Sequence, residues 1–242
     1  MATIQIDLYS DTLTRPSPGM RKAMADAEVG NEQAHEDPTV NKLCERVAEL
    51  LGHEAAVFVP SGTMCNAISY RSYCRQGDAE AAGPAAPSGV MLCPVDGKSG
   101  IFTAEQLQAS IRPYRRNRPR PRLVSLEQTS NFGGGTVWPL ATVREVCDTA
   151  HKHELKVHMD GARLMNAVIA TGVAAKDYAS PCDSAWLDLS KGLGCPVGAV
   201  LCGPADFIED AWRWKHQFGG AMRQAGIIAA AGVYALDHNI ER

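Results

Sequence analysis

The chain has 242 residues, with 24 Lys and Arg against 27 Asp and Glu for a net charge of −3, and 45% of its residues are hydrophobic against 21% charged. That is an ordinary globular balance over a length that large α/β enzymes commonly run as one domain. The charge predicts neither a nucleic-acid partner nor an anionic membrane partner; no apolar run approaches a membrane span, and Met1-Ala2-Thr3-Ile4-Gln5 starts no signal peptide.

In chain order, Asp37-Pro38 opens a helix, with Asp as the cap and Pro at the first helical position. Leu43, Val47 and Leu50 fall on one face of that helix, and Gly52 stops it. Residues 55–59 read as a short buried strand, Pro60-Ser61-Gly62-Thr63 as a turn and 64–73 as a helix. A strand is expected over 90–95. Thr103 with Gln106 forms a capping box for a helix through Ile111. Residues 123–126 read as a strand ending at Glu127, 140–153 as a helix, and 156–159 as a strand ending at Asp160. Strands over 184–189 and 197–202 and helices over 205–218 and 224–237 complete the pattern. Apolar strands alternating with helices predict an α/β fold, a mainly parallel sheet covered on both faces. Such sheets bind ligands where their strands end. The arginine- and proline-rich run 112–122 reads as a solvated connection, since its prolines bar regular structure and no aromatic platform accompanies the charge.

The eight cysteines form no C-x-x-C pair and sit in apolar stretches such as Val90-Met91-Leu92-Cys93, which predicts reduced, buried thiols and a cytoplasmic location. The histidines show no H-E-x-x-H spacing, and no catalytic metal is expected. Gly133-Gly134-Gly135 lacks the strand and helix context of a dinucleotide loop and reads as a flexible turn.

The chemistry is carried by two fragments in order. His158-Met159-Asp160-Gly161-Ala162-Arg163 comes first, and Asp188-Leu189-Ser190-Lys191-Gly192-Leu193-Gly194 follows. A lysine amine forms a Schiff base with an aldehyde cofactor, and an aspartate at a strand end keeps a pyridine nitrogen protonated so that the ring accepts electrons. Lys191 follows an apolar strand and precedes two glycines that let backbone pass close to a ligand; burial would lower its pKa toward a nucleophilic amine. Asp160 has a competing role as the N-cap of a helix from Gly161 onward. Arg163 beside it suits a carboxylate or a phenolate oxygen. Ser61-Gly62-Thr63 follows a strand and opens a helix, where free backbone N–H groups make an anion site. Arg223, at a helix start in Met222-Arg223-Gln224-Ala225-Gly226, suits phosphate recognition or a plain surface position.

These blocks, with Ser10-Asp11-Thr12-Leu13-Thr14-Arg15-Pro16, Glu36-Asp37-Pro38-Thr39-Val40-Asn41 and Phe58-Val59-Pro60-Ser61-Gly62-Thr63-Met64, resemble the threonine aldolase and β-eliminating lyase family of the aspartate aminotransferase fold type. The resemblance runs through nearly the whole chain. It implies pyridoxal 5'-phosphate as cofactor and aldol cleavage of a β-hydroxy-α-amino acid, such as threonine, allo-threonine or phenylserine, to glycine and an aldehyde. It implies roles position by position. Lys191 would carry the covalent link to the cofactor and Asp160 would pair with its ring nitrogen. Gly62 and Thr63 would hold the phosphate, with Arg223 reaching it as well, in one version from a neighbouring subunit. Arg163 would serve both cofactor and substrate, and Ser10 and Arg163 would bind the substrate carboxylate. It also implies a homo-oligomer, a dimer or a dimer of dimers.

Three departures from the family pattern stand out. Gly77-Asp78 runs directly into Ala79, where the family has another strand and then a histidine that stacks on the cofactor ring. The chain stops at Arg242, where the family continues into a smaller C-terminal domain. Ser130 stands where many members carry a histidine that handles the substrate hydroxyl. The expectation is that residues 1–242 form the cofactor-binding large domain, and that the gaps are omitted residues rather than losses. The rival readings are an eliminating lyase of the same fold and an inactive protein that keeps the fold. A nucleic-acid module on 112–122 would require binding that weakens steeply with salt.

Overall fold

The computed structural model describes residues 7–74, 85–113, 115–117 and 119–240. The junction between Asp78 and Ala79 and the end at Arg242 lie outside the described residues. After an extended N-terminal segment, helix α1 (Pro18–Ala25) is capped by Ser17, and α2 (Pro38–Leu51) by Asp37. The Asp37 carboxylate accepts from the amides of Thr39 and Val40 at 3.1 and 3.0 Å, and Gly52 closes the helix at φ 71. Strand β1 (Ala55–Val59) leads into α3 (Gly62–Tyr73), then a short α4 (Ala85–Ser88) and α5 (Ala104–Ser110), which opens with the expected Thr103/Gln106 capping box. Strand β2 (Leu123–Glu127), α6 (Leu140–Lys152) and β3 (Lys156–Gly161) follow, then α7 (Leu164–Thr171), α8 (Ala175–Ala179), β4 (Ser184–Asp188), β5 (Ala199–Gly203), α9 (Ala205–Gln217) and α10 (Gly226–His238).

The five strands form one sheet in the order β1-β5-β4-β3-β2. β2, β3 and β4 pair in parallel, whereas β5 runs antiparallel to both β4 and β1. Four strands therefore share one direction, and β5 opposes them. Side chains alternate between faces as a pleated strand requires. Val57, Val59, Trp186, Ala199 and Leu201 face the layer of α3 and α9, while Phe58, Ala185, Leu187, Val200 and Cys202 face the larger core. Burying both faces explains the near-continuous apolar runs of β4 and β5.

Two expectations are corrected. Residues 90–95 form no strand, although Val90 is buried. Pro94 offers no backbone donor to a ladder, and the segment lines a hollow beside β2 instead of pairing with it. Asp160 caps no helix: it lies within β3, and the next helix begins only after Arg163. The run 112–122 contains no helix or strand among its described residues, as expected. None of the eight cysteines is in a disulfide; six are buried, and Cys44 and Cys93 are half-buried. Among the described residues no helix is long and apolar enough to cross a membrane.

Glu32 and Lys215 form an ion pair at 2.8 Å with both side chains fully buried. Glu32 also accepts from the Met222 amide at 2.6 Å, and its own amide donates to the Arg223 carbonyl at 3.0 Å. This pins the turn before α10 to the N-terminal segment. Breaking one half of a buried pair leaves an uncompensated charge, so Glu32→Gln is expected to lower the unfolding free energy by ~3–5 kcal/mol in urea titrations.

Candidate active site

Lys191, Asp160, Gly62, Thr63 and Arg163 line one cavity of about 460 Å³. It sits beyond the C-terminal ends of β2, β3 and β4 and against the N-terminus of α3. Each residue arrives there for a local reason. Asp160 is next to last in β3, and its register neighbours are Glu127 on β2 and Trp186 on β4, so these three side chains stand abreast on the sheet face beneath α3. Lys191 lies in the tight turn between β4 and β5, which is closed by Cys195 N–H to Leu189 O at 2.9 Å and Gly194 N–H to Lys191 O at 2.9 Å. Thr14 clamps the turn from outside, its hydroxyl donating to the carbonyl of Lys191 at 2.9 Å.

Ser61 caps α3 by accepting from the Met64 amide at 3.3 Å. The amides of Gly62 and Thr63 belong to the first turn, which makes no intrahelical bonds, and they open onto the cavity as an anion site. Gly62 has a second reason to be glycine: a Cβ there would lie 2.0 Å from the Trp186 ring.

The electrostatics divide the site in two. The Lys191 ammonium is ion-paired with Asp188 Oδ2, whose other oxygen accepts from the amide and hydroxyl of Ser190 at 3.0 and 2.9 Å. Asp160 accepts from Asn66 Nδ2 at 2.8 Å and from the Ala162 amide at 3.0 Å. These bonds do not offset its burial, which pushes its pKa up from 3.8 to about 6, with Glu127 adding like-charge repulsion and Lys191 opposing it. Arg163 binds Asp11 through two nitrogens, Nε at 2.5 Å and Nη2 at 3.1 Å, and this hydrogen bond holds the Asp11 carboxyl below its usual range. The N-terminal segment is thereby tied to a residue that lines the site.

Ser10 and Arg223 do not line the cavity. Ser10 caps a single 3-10 turn, Asp11–Leu13, and its hydroxyl is bonded to Thr12. Arg223 is exposed at the start of α10. Ser130 is buried and also absent from the lining; its hydroxyl abuts Gly100. The sequence reading missed Asn66, Asp188 and Trp186. Asn66 carried a usable signal, since it lies three and four residues after Thr63 and Gly62 and thus on the same face of α3. Asp188 is likewise the polar end of an apolar strand, three residues before Lys191. A second hollow of about 610 Å³, largely apolar, runs along the outer edge of β2 and shares Glu127 and Asp160 with the site.

The donor set fits pyridoxal 5'-phosphate. An amine, an anion cradle and a buried carboxylate that lacks a cation face one space of suitable size. The carboxylate gives a test in the cofactor-free protein. Because the folded pKa of Asp160 lies above its unfolded value, its burial is harmless below about pH 4, costs progressively more between about pH 4 and 6, and costs a constant amount above that. Asp160→Asn removes that titration. Its Tm, relative to the parent, is expected to rise as pH goes from about 4 to 6 and to level off above that in thermal scans.

Comparison with known proteins identifies the family. The β-eliminating lyase family model matches residues 7–242. Low specificity L-threonine aldolase of Escherichia coli K12 is 42% identical over 250 residues, which cover 98% of this chain and 74% of that one. Low-specificity L-threonine aldolase 1 of Arabidopsis thaliana is 38% identical over 258 residues, covering 100% and 72%. Among solved structures, threonine aldolase of Leishmania major superposes with a TM-score of 0.81 at 19% identity, covering 96% of this chain and 72% of that one, which is a likeness of fold. The chain belongs to the β-eliminating lyase family, and its sheet and helices form the large domain of the type I fold of pyridoxal-phosphate enzymes.

Proposed function

We propose that this protein is a pyridoxal 5'-phosphate-dependent threonine aldolase, a lyase that cleaves β-hydroxy-α-amino acids to glycine and an aldehyde. The observation that carries the reading is the convergence of Lys191, Asp160 and the α3 N-terminus on one cavity, in a chain about 40% identical to threonine aldolases over nearly its whole length. When bound, the cofactor supplies a carbonyl that condenses with amines and a cationic ring that accepts an electron pair from Cα.

The chain's own residues do the rest. Lys191 anchors the cofactor through its amine, and Asp188 Oδ2, already paired with that group, is placed to receive the ammonium proton. Asp160 would pair with the ring nitrogen, and that pairing would offset the cost of its burial and favour the cationic ring. The Gly62 and Thr63 amides, with the Thr63 hydroxyl, hold the phosphate. Arg163 turns its remaining nitrogen to the substrate carboxylate, with Ser10 brought up by the N-terminal segment. Together these two residues would fix the substrate carboxylate and so orient the bond to be broken. Arg223 is exposed and outside this cavity, so it would reach the phosphate only from a neighbouring copy, in a homo-oligomer that is a dimer or a dimer of dimers. We place the protein in the cytoplasm, consistent with cysteines that form no disulfide.

Purified protein given pyridoxal 5'-phosphate and threonine is expected to form glycine and acetaldehyde, and borohydride is expected to trap the cofactor on Lys191 in peptide maps. Lys191→Ala is expected to lose trapping and to reduce aldolase turnover by at least about a thousandfold, in line with loss of a covalent-catalysis amine. 2-Oxobutyrate and ammonia from threonine would assign the protein to elimination instead.

A further inference from the structure

The mechanism above uses Asp160 but not the polar chain behind it. Asn66, on α3, contacts three groups from the sheet. Its Nδ2 donates to Asp160 Oδ2 at 2.8 Å, while its Oδ1 lies 2.9 Å from Trp186 Nε1 and 3.1 Å from His158 Nε2. On its other side His158 Nδ1 lies 2.7 Å from the Ser184 hydroxyl. His158 and Ser184 are fully buried and Trp186 nearly so.

The protons in this chain can be assigned by elimination. An indole N–H only donates, so the Asn66 atom facing Trp186 is the oxygen, and its NH₂ faces Asp160. That same oxygen faces His158 Nε2, so this nitrogen must carry a hydrogen; two lone pairs would otherwise oppose each other. Nδ1 is then bare and accepts from Ser184. Burial keeps His158 neutral by pulling its pKa from 6.5 down to about 3. We infer that Asn66 is a positioning residue whose amide is locked by Trp186 and neutral His158 so that it always presents a donor to Asp160, keeping that carboxylate ionised and leaving its remaining lone pairs for the cofactor's ring cation. The consequence for catalysis rests on the cofactor reading above; the proton assignment does not.

Without the Trp186 N–H, a flipped amide becomes equally satisfied. Asn66 would donate to a bare His158 Nε2, His158 would donate from Nδ1 to Ser184, and the amide oxygen would face Asp160 and favour its protonated form. The other groups facing Asp160 cannot prevent this. Glu127 at the tip of β2 also favours protonation. Lys191 and Arg163 act on it through charge, and Cys65 and Tyr70 on α3 through their proximity. Only Asn66 and the Ala162 amide donate hydrogen bonds to it among the described residues.

The test uses the whole cofactor-free chain. Long-range ¹H–¹⁵N NMR of the parent protein is expected to find neutral His158 with its hydrogen on Nε2 and a bare Nδ1; a hydrogen on Nδ1 overturns the inference. In Trp186→Phe and Asn66→Leu, each confirmed as folded by near-UV circular dichroism, the Asp160 carboxyl is expected to ionise about one pH unit higher than in the parent, a tenfold change in its ionisation constant. Infrared difference titration with Asp160→Asn as the blank reads this directly. Unchanged midpoints in the folded variants overturn the inference, and if neither variant folds, the tautomer of the parent decides. Parallel titration with pyridoxal 5'-phosphate separates the two readings. A parent protein with the expected tautomer that binds no cofactor sinks the cofactor assignment and leaves the locked amide standing.

Discussion

Asp160 brings a carboxylate to the end of β3 with two hydrogen bonds, and burial pushes its pKa up to about 6. An anion in that position is tolerable only if its surroundings are fixed and a cation completes them. Much of the architecture near the site can be understood as meeting that requirement. Parallel pairing of β2, β3 and β4 sets Glu127, Asp160 and Trp186 side by side, with Ser125, His158 and Ser184 two residues behind them on the same face. α3 lies over this polar stripe and supplies Asn66. A stripe of this kind inside an otherwise apolar layer is costly unless every member finds a partner, and His158, Ser184, Trp186 and Asn66 satisfy one another.

The reversal of β5 has a matching effect on the other half of the site. Only ten residues separate β4 from β5, too few for a crossover helix, so the chain turns back on itself at the carboxyl end of β4. Lys191 rides on that turn. A parallel connection would have carried the chain away across the sheet; the antiparallel return keeps the amine within the same small volume as Asp160 and the start of α3. Thr14 and Asp11 then fasten the N-terminal segment to the turn and to Arg163, and the buried Glu32–Lys215 pair anchors the region that follows that segment.

Most of the scaffold could be read from the residues because it rests on local rules. Helix α2 announces itself by Asp37-Pro38 and Gly52, α5 by Thr103 and Gln106, and β1 by an apolar run closed by Pro60. The run 90–95 misled because an apolar lining of a hollow and an apolar strand look alike in sequence; Pro94 was the contrary signal. The direction of β5 was equally hidden in its composition, although the short connection before it carries the information. In the site, Lys191 and Asp160 were legible because the chemistry demands those side chains at strand ends. Asn66 was not, because its role depends on partners 92, 94 and 120 residues away that only the folded sheet assembles. Arg163 was legible as a cation but not as one already engaged by Asp11.

Gly62 and Trp186 meet where a single added carbon would sit 2.0 Å from the indole ring. One residue shapes the opening of the anion cradle, and the other fixes the amide behind the buried acid. Their contact makes the two halves of the pocket sterically interdependent. A larger side chain at the helix start would force the indole aside, and a smaller ring on β4 would remove both the obstacle and the indole donor. Substitutions at these two positions would therefore be expected to travel together through any lineage that retains the chemistry, even though they stand 124 positions apart in the chain.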